Sequence, residues 1–219
     1  LFKMRLAREG KVIVLPLFLI FGLLIFLWSQ FIISINLPLI FIVLLIFCLN
    51  FFRDPKRIIP KEENIIIAPA DGKIVKKEII NDSQLGEMQL VSIFLNVFNV
   101  HVNRMPINGV FKKVKYEKGS FLAAFDHRAS DENERVEVTI ESEIGRLKVK
   151  QIAGLIARRI ICYAKKNNSM EIGGRLGFIR FGSRTDLILP KDVKLSIELG
   201  QKVIGNETVI GTYEKNNNG

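Results

Sequence analysis

Residues 136–152 read Val-Glu-Val-Thr-Ile-Glu-Ser-Glu-Ile-Gly-Arg-Leu-Lys-Val-Lys-Gln-Ile. Val136, Val138 and Ile140 alternate with charged or polar residues, and Leu147, Val149 and then Ile152 continue the apolar set. A period of two marks strands with one face buried and the other wet. Outward from this stretch, short β-rich runs recur at 65–67, 73–79, 90–97, 110–116, 160–163, 176–181, 186–189, 194–197 and 208–212. Gly and Asn punctuate them at Gly72, Gly109, Gly119, Gly145, Gly173-Gly174 and Gly205-Asn206. Many short strands with no long helical period predict an all-β sandwich or barrel over residues 61–219.

Upstream the pattern changes. From Val12 to Leu49 there is no charged residue. The run is too long for one helix across a bilayer core about 30 Å thick, which takes roughly 20 residues. Ser29-Gln30, Ser34, Asn36 and Pro38 supply a turn, so two spans are predicted at about 12–28 and 31–49. Lys3, Arg5, Arg8 and Lys11 precede the run, and Arg53, Lys56, Arg57 and Lys61 follow it. Basic residues on both flanks put both ends on the cytoplasmic side. Residues 1–60 are therefore expected to form a membrane helical hairpin, with a shallow re-entrant hairpin as the competing form. A cleaved signal peptide does not fit, because the run exceeds an h-region and lacks a small-residue cleavage site.

The length of 219 residues excludes a large multidomain machine, and the composition excludes a disordered chain. Lys+Arg of 32 against Asp+Glu of 22 leaves a net charge of +10, which favours an anionic partner. A membrane hairpin already explains where anionic charge is met, so no nucleic acid is expected. Cys48 and Cys162 make no disulfide or metal pattern, and no metal is expected.

Two segments, 68–75 (Ala-Pro-Ala-Asp-Gly-Lys-Ile-Val) and 199–205 (Leu-Gly-Gln-Lys-Val-Ile-Gly), resemble the turns of lipoyl- and biotinyl-type β modules. No Met-Lys-Met is present and Lys73 lies within a strand-like run, so the likeness is one of scaffold. His101 and His127 are the only histidines, which makes any base active at neutral pH easy to enumerate. Asp71 sits in a Pro-Ala-Asp-Gly turn, and Ser183 follows Gly182 between two strand runs. Alone, each reads as structural: a satisfied histidine, a turn carboxylate, a turn serine.

Together they resemble the phosphatidylserine decarboxylase family, in its short, archaeal-type form. Phe51-Phe-Arg-Asp-Pro55, Ala68-Pro-Ala-Asp-Gly72, His101-Val-Asn-Arg104, Asp131-Glu-Asn-Glu-Arg135, Gln151-Ile-Ala-Gly154, Ala157-Arg-Arg159 and Phe181-Gly-Ser-Arg184 stand in family order. The resemblance spans essentially the whole chain. It implies a proenzyme that cleaves itself between Gly182 and Ser183, leaving two associated chains. Ser183 then becomes a covalent pyruvoyl group. That group forms a Schiff base with phosphatidylserine and takes up the electrons left by CO2, yielding phosphatidylethanolamine for phospholipid biosynthesis.

The family assigns an Asp-His-Ser relay, which falls here on Asp71, His101 and Ser183. Longer members carry a second histidine where this chain has Arg104, so His101 serves both steps or leaves one to Asp71. His127, beside Asp126 and Arg128, reads as surface. Arg158, Arg159, Arg175 and Arg184 lie near the cleavage segment; Arg158, Arg159 and Arg184 are the candidate headgroup ligands, against a generic basic face on an anionic leaflet. A cytoplasm-facing enzyme at the cell membrane follows, and a homo-oligomer is compatible with it. Two rivals stand beside it: a membrane-tethered lipoyl-like adaptor that stays one chain, and a decarboxylase of ether lipids with the same headgroup.

Overall fold

The structure is a computed structural model, described here for residues 5–119, 132–154, 159–180 and 182–214. It divides into two compact units, 1–56 and 57–219. The division falls four residues before the one read from the sequence. Arg57 belongs to the second unit because its guanidinium is bound there.

The first unit is a pair of apolar helices, α1 (Arg8–Ser29) and α2 (Asn36–Phe51). At 1.5 Å per residue, the 22 residues of α1 make it about 33 Å long, enough to cross a bilayer core. The 16 residues of α2 reach only about 24 Å. The turn is longer than the sequence suggests because Phe31 takes a left-handed φ of +58° and the Ile32 N–H bonds back to Leu27 O at 3.0 Å. At the open end, Ala7 N–H donates to Phe52 O and Asp54 N–H to Arg5 O, both at 2.7 Å. The two ends of the hairpin therefore lie side by side.

The second unit is all-β, as its alternating pattern predicts. Its strands are β1 (Ile65–Ile67), β2 (Gly72–Asp82), β3 (Gly86–Leu95), β4 (Val102–Arg104), β5 (Gly109–Glu117), β6 (Arg135–Ser142), β7 (Gly145–Ala153), β8 (Ile160–Cys162), β9 (Ser169–Met170), β10 (Arg175–Ile179), β11 (Ser183–Pro190), β12 (Lys194–Leu195), β13 (Lys202–Val203) and β14 (Val209–Thr212). An eight-stranded antiparallel sheet, ordered β13-β2-β3-β11-β7-β6-β5-β9, curls into a half-barrel. Two three-stranded sheets, β1-β14-β12 and β4-β10-β8, accompany it. Three short strands, β4, β9 and β13, have no run of their own in the sequence pattern.

β11 lies inside the large sheet, paired with β3 on one side and β7 on the other. Its side chains alternate between two faces. Leu187 and Leu189 point to the main core with Ile74, Val91, Ile93 and Val149. Arg184, Asp186 and Ile188 point to the other face, which is also buried. Both faces of β11 are covered, which explains the continuous apolar run at 187–189 that periodicity alone cannot orient.

Candidate active site

Ser183 is the first residue of β11, opposite Leu95 of β3 and Ala153 of β7. It is fully buried, and its Oγ has no hydrogen-bond partner among the described residues. An unpaired buried hydroxyl costs about 1–3 kcal/mol, so this one sits where stability alone would not keep it. Gly182 takes φ +63°, a conformation that L-residues with side chains avoid. A Cβ built there meets open space, so the glycine is required by backbone conformation and no close approach is involved.

His101 is fully buried and precedes β4. An Asx turn ties the preceding loop: Phe98 N–H donates to Asn96 Oδ1 at 2.8 Å, and Asn96 N–H to Asn99 Oδ1 at 3.0 Å. The same turn presents Asn99 O to His101 Nδ1 at 2.9 Å. A carbonyl can only accept, so Nδ1 carries the proton and Nε2 is the basic nitrogen.

Position 103 links this strand to β11. Asn103 Oδ1 accepts from Gln151 Nε2 at 2.8 Å and from the Thr185 hydroxyl at 3.5 Å, all three residues being fully buried. Gln151 and Thr185 are register partners across β7 and β11. β4 runs antiparallel to β10, and three residues separate β10 from β11. Two residues back along each strand lead from Asn103 to His101 and from Thr185 to Ser183. Ile179 N–H, four residues before Ser183, donates to His101 O at 3.2 Å. Alternation along β4 turns Arg104, the position of the family's second histidine, away from Asn103.

Asp71 is nearly buried, in the turn before β2. Arg57 grips both carboxylate oxygens, Nη1 on Oδ1 and Nη2 on Oδ2 at 2.7 Å. Gly205 N–H donates to Oδ1 at 2.9 Å and Val100 N–H approaches Oδ2 at 3.4 Å. The carboxylate thus reaches the backbone beside His101 while His101 Nδ1 bonds Asn99. The sequence counted Arg57 only as a basic flank. Its partnership with Asp71 joins residues 14 apart through a fold that no local pattern encodes.

The arginines separate. Arg184 is 1% exposed; its Nε donates to Asp186 Oδ1 and its Nη2 to Ser92 Oγ, both at 2.6 Å. It lies on the face of β11 opposite Ser183, engaged within the sheet. Arg159 is exposed, and its carbonyl accepts from Arg180 N–H near the Gly182 turn. Arg158 and His127 lie outside the described residues. No cluster of three metal-ligating side chains occurs among the described residues.

Fold and site define a class: an all-β enzyme whose candidate nucleophile is a buried serine, held at a strand start behind a left-handed glycine. Residues 44–211 match the family model described as phosphatidylserine decarboxylase. A phosphatidylserine decarboxylase proenzyme of Wolbachia pipientis is 48% identical over 177 residues, covering 78% of this chain and 77% of that protein. The proenzyme of Chlorobium phaeobacteroides is 46% identical over 170 residues, 77% of this chain and 80% of its own length. That of Ehrlichia ruminantium is 43% identical over 211 residues, 94% of this chain and 90% of its own. The chain belongs to the phosphatidylserine decarboxylase family.

Proposed function

We propose that the chain cleaves itself between Gly182 and Ser183, and then decarboxylates phosphatidylserine to phosphatidylethanolamine at a pyruvoyl group made from Ser183. The observation that carries this reading is Ser183 itself, a buried hydroxyl with no hydrogen-bond partner among the described residues, directly after a glycine at φ +63°. His101 Nε2 takes the Oγ proton as the oxygen attacks the Gly182 carbonyl, and the amide becomes an ester as the Ser183 nitrogen leaves that carbon. Loss of the Ser183 Cα proton expels the Gly182 carboxylate. Water then converts the dehydroalanine to a pyruvoyl residue with release of ammonia.

The residues present fit that group: β3 and β7 flank β11 and hold its first residue inside the sheet, away from bulk water. When formed, the pyruvoyl ketone supplies an electron sink for the departing carboxylate. In this reading His101 Nε2, the basic nitrogen, moves the proton at the first residue of β11. Asp71, clamped by Arg57, fixes the turn and the Val100–His101 backbone. Arg159, exposed by the cleavage segment, meets the lipid phosphate, with Arg158 as its neighbour in sequence; Arg184 is held by Asp186. We further propose that the β unit is a lipoyl-like scaffold, that α1 and α2 form the membrane hairpin, and that the β unit faces the cytoplasm.

Intact mass and a lipid assay on one preparation test the reading. The expected result is two chains, the smaller beginning at residue 183 with a blocked terminus, and conversion of phosphatidylserine to phosphatidylethanolamine. An active preparation with an unmodified Ser183 in one polypeptide would overturn it. A single inactive chain would restore the adaptor.

A further inference from the structure

Seven large apolar side chains of the β unit are exposed among the described residues, and four of them stand one or two residues along the chain from groups bonded to Asp71 or the turn after it. Ile58 follows Arg57, which holds that carboxylate. Ile204 precedes Gly205, whose N–H donates to it. Phe98 lies two residues before Val100, whose N–H faces it. Leu199 precedes Gly200, whose N–H donates to Ile74 O three residues beyond Asp71. The four are 83%, 45%, 66% and 67% exposed, in that order. Single exposed apolar residues are ordinary, but four on one rim mark a contact surface.

Lys73 and Lys202 add a second observation. They are direct register partners across β2 and β13, both exposed, with no ion-pair partner among the described residues. Like charges directly opposite each other weaken a strand pair unless an anion lies between them. Glu198 and Glu207, exposed in the adjoining turns, balance the lysines in number. The apolar set therefore carries the contact and the lysines orient it.

We propose that this rim docks the β unit onto an anionic phospholipid bilayer. Ile58, Phe98, Leu199 and Ile204 enter the boundary between headgroups and acyl chains, and the Lys73–Lys202 pair meets lipid phosphates. The same chain carries α1, long and apolar enough to cross a bilayer core, so a bilayer is a surface this protein meets. His101 lies three residues past Phe98, so a headgroup lifted from the docked surface arrives beside the site. The inference deepens the proposed function and rests on it for the direction of lipid delivery.

The test uses the full-length chain reconstituted in phosphatidylcholine–phosphatidylglycerol vesicles. Ser183→Ala keeps it one polypeptide, and Trp28→Phe removes its only tryptophan. Phe98→Trp or Leu199→Trp then reports from the rim, and Tyr116→Trp from elsewhere on the unit. The expected result is blue-shifted emission at 98 and 199, quenched by brominated acyl chains and not by aqueous iodide, with the reverse at 116. Quenching by iodide at the rim, or equal bromine quenching at 116, would overturn the proposal. Blue-shifted emission without bromine quenching would mean that a second copy covers the rim, and would overturn it too.

In the protein with Ser183 intact, Ile58→Ser with Leu199→Ser should raise the half-saturating surface concentration of phosphatidylserine about tenfold, with self-cleavage unchanged. Unchanged half-saturation would count against the rim. The fluorescence needs neither cleavage nor decarboxylation, so failure of the proposed function leaves the docking result readable. An active decarboxylase with a water-exposed rim would keep the function and lose the docking.

Discussion

Gly182 and Gly72 both need to be glycine, for different reasons. At Gly182 a methyl group has room and only φ +63° opposes it, a conflict worth about 1–2 kcal/mol. At Gly72 a Cβ would collide with the Phe94 carbonyl and lie 2.8 Å from Ile93 Cγ2, both in a paired strand that cannot yield. In a Ser183→Ala background, thermal unfolding should show Gly72→Ala losing clearly more stability than Gly182→Ala. Equal losses would mean that the turn before β2 relaxes freely. Arg57 is the other residue on which the site leans. Arg57→Ala leaves Asp71 buried with two backbone N–H groups and no cation, a change costing about 3–5 kcal/mol for a buried pair. Both stability and the rate of cleavage to two bands should fall. Arg57→Lys should recover stability only in part, because an ammonium cannot grip both oxygens at once. Full recovery would reduce the clamp to simple charge.

At the scale of elements, the large sheet ties its outer face with charge. Lys148 of β7 is 2% exposed and donates to both oxygens of Asp82, at 2.9 and 2.8 Å, while lying 3.2 Å from Glu137 of β6. Burial pushes the Asp82 carboxyl up, but the hydrogen bond from Lys148 and those from the Gln84 and Leu85 N–H groups outweigh it, leaving the pKa below the ordinary range. Burial pulls Lys148 down, and its two carboxylates more than offset that, leaving its pKa raised. A depressed carboxylate gives stability that is present above its unfolded pKa and lost as pH falls through the folded one. A raised lysine gives stability that is present below its unfolded pKa and lost as pH rises through the folded one. Lys148→Met should therefore cost about 3 kcal/mol near pH 7. Its deficit against the parent should shrink as the pH falls through the depressed folded pKa of Asp82, where the parent loses the same pairing. A deficit independent of pH would show that Lys148 acts by packing.

None of that charge network was legible in the sequence. Lys148 and Lys150 read simply as the wet positions of an alternating strand, because periodicity says which residues share a face and not whether that face is covered. The strands with strong patterns were legible, including those flanking the site. β4, β9 and β13 were not, since two or three residues carry no period. Ser183 read as a loop residue, yet it opens β11, because pairing with β3 and β7 extends a strand whose apolar run starts only at Leu187. The motifs pointed to His101, Asp71 and Ser183. Asn99, Arg57 and the Asn103–Gln151–Thr185 cluster that arrange their surroundings come from contacts distant in sequence.

For the whole molecule, the position of β11 decides what the proposed cleavage would do. A cut before Ser183 gives a small chain, 183–219, that begins with a strand paired on both sides within the eight-stranded sheet. The same segment supplies β13 to the edge of that sheet beside β2, and β12 and β14 to the sheet that includes β1. Leu187, Leu189, Val193, Ile197, Val203 and Ile210 from this piece are buried in the main core. Releasing it would expose those six side chains, each worth about 1.5–3 kcal/mol when fully buried, and would break the ladders of β11 with β3 and β7. The two chains should therefore behave as one folded body after processing. They should separate in denaturing electrophoresis, yet elute together from a sizing column in mild detergent at any dilution tried. Their unfolding should be a single cooperative transition for the β unit. A small chain added separately to an isolated large chain should fail to restore the sheet without joint refolding, because the slot between β3 and β7 is built around β11. Dissociation of the native pair on dilution would show that the sheet closes without β11, and would remove the physical reason for a catalytic group placed at the first residue of an interior strand.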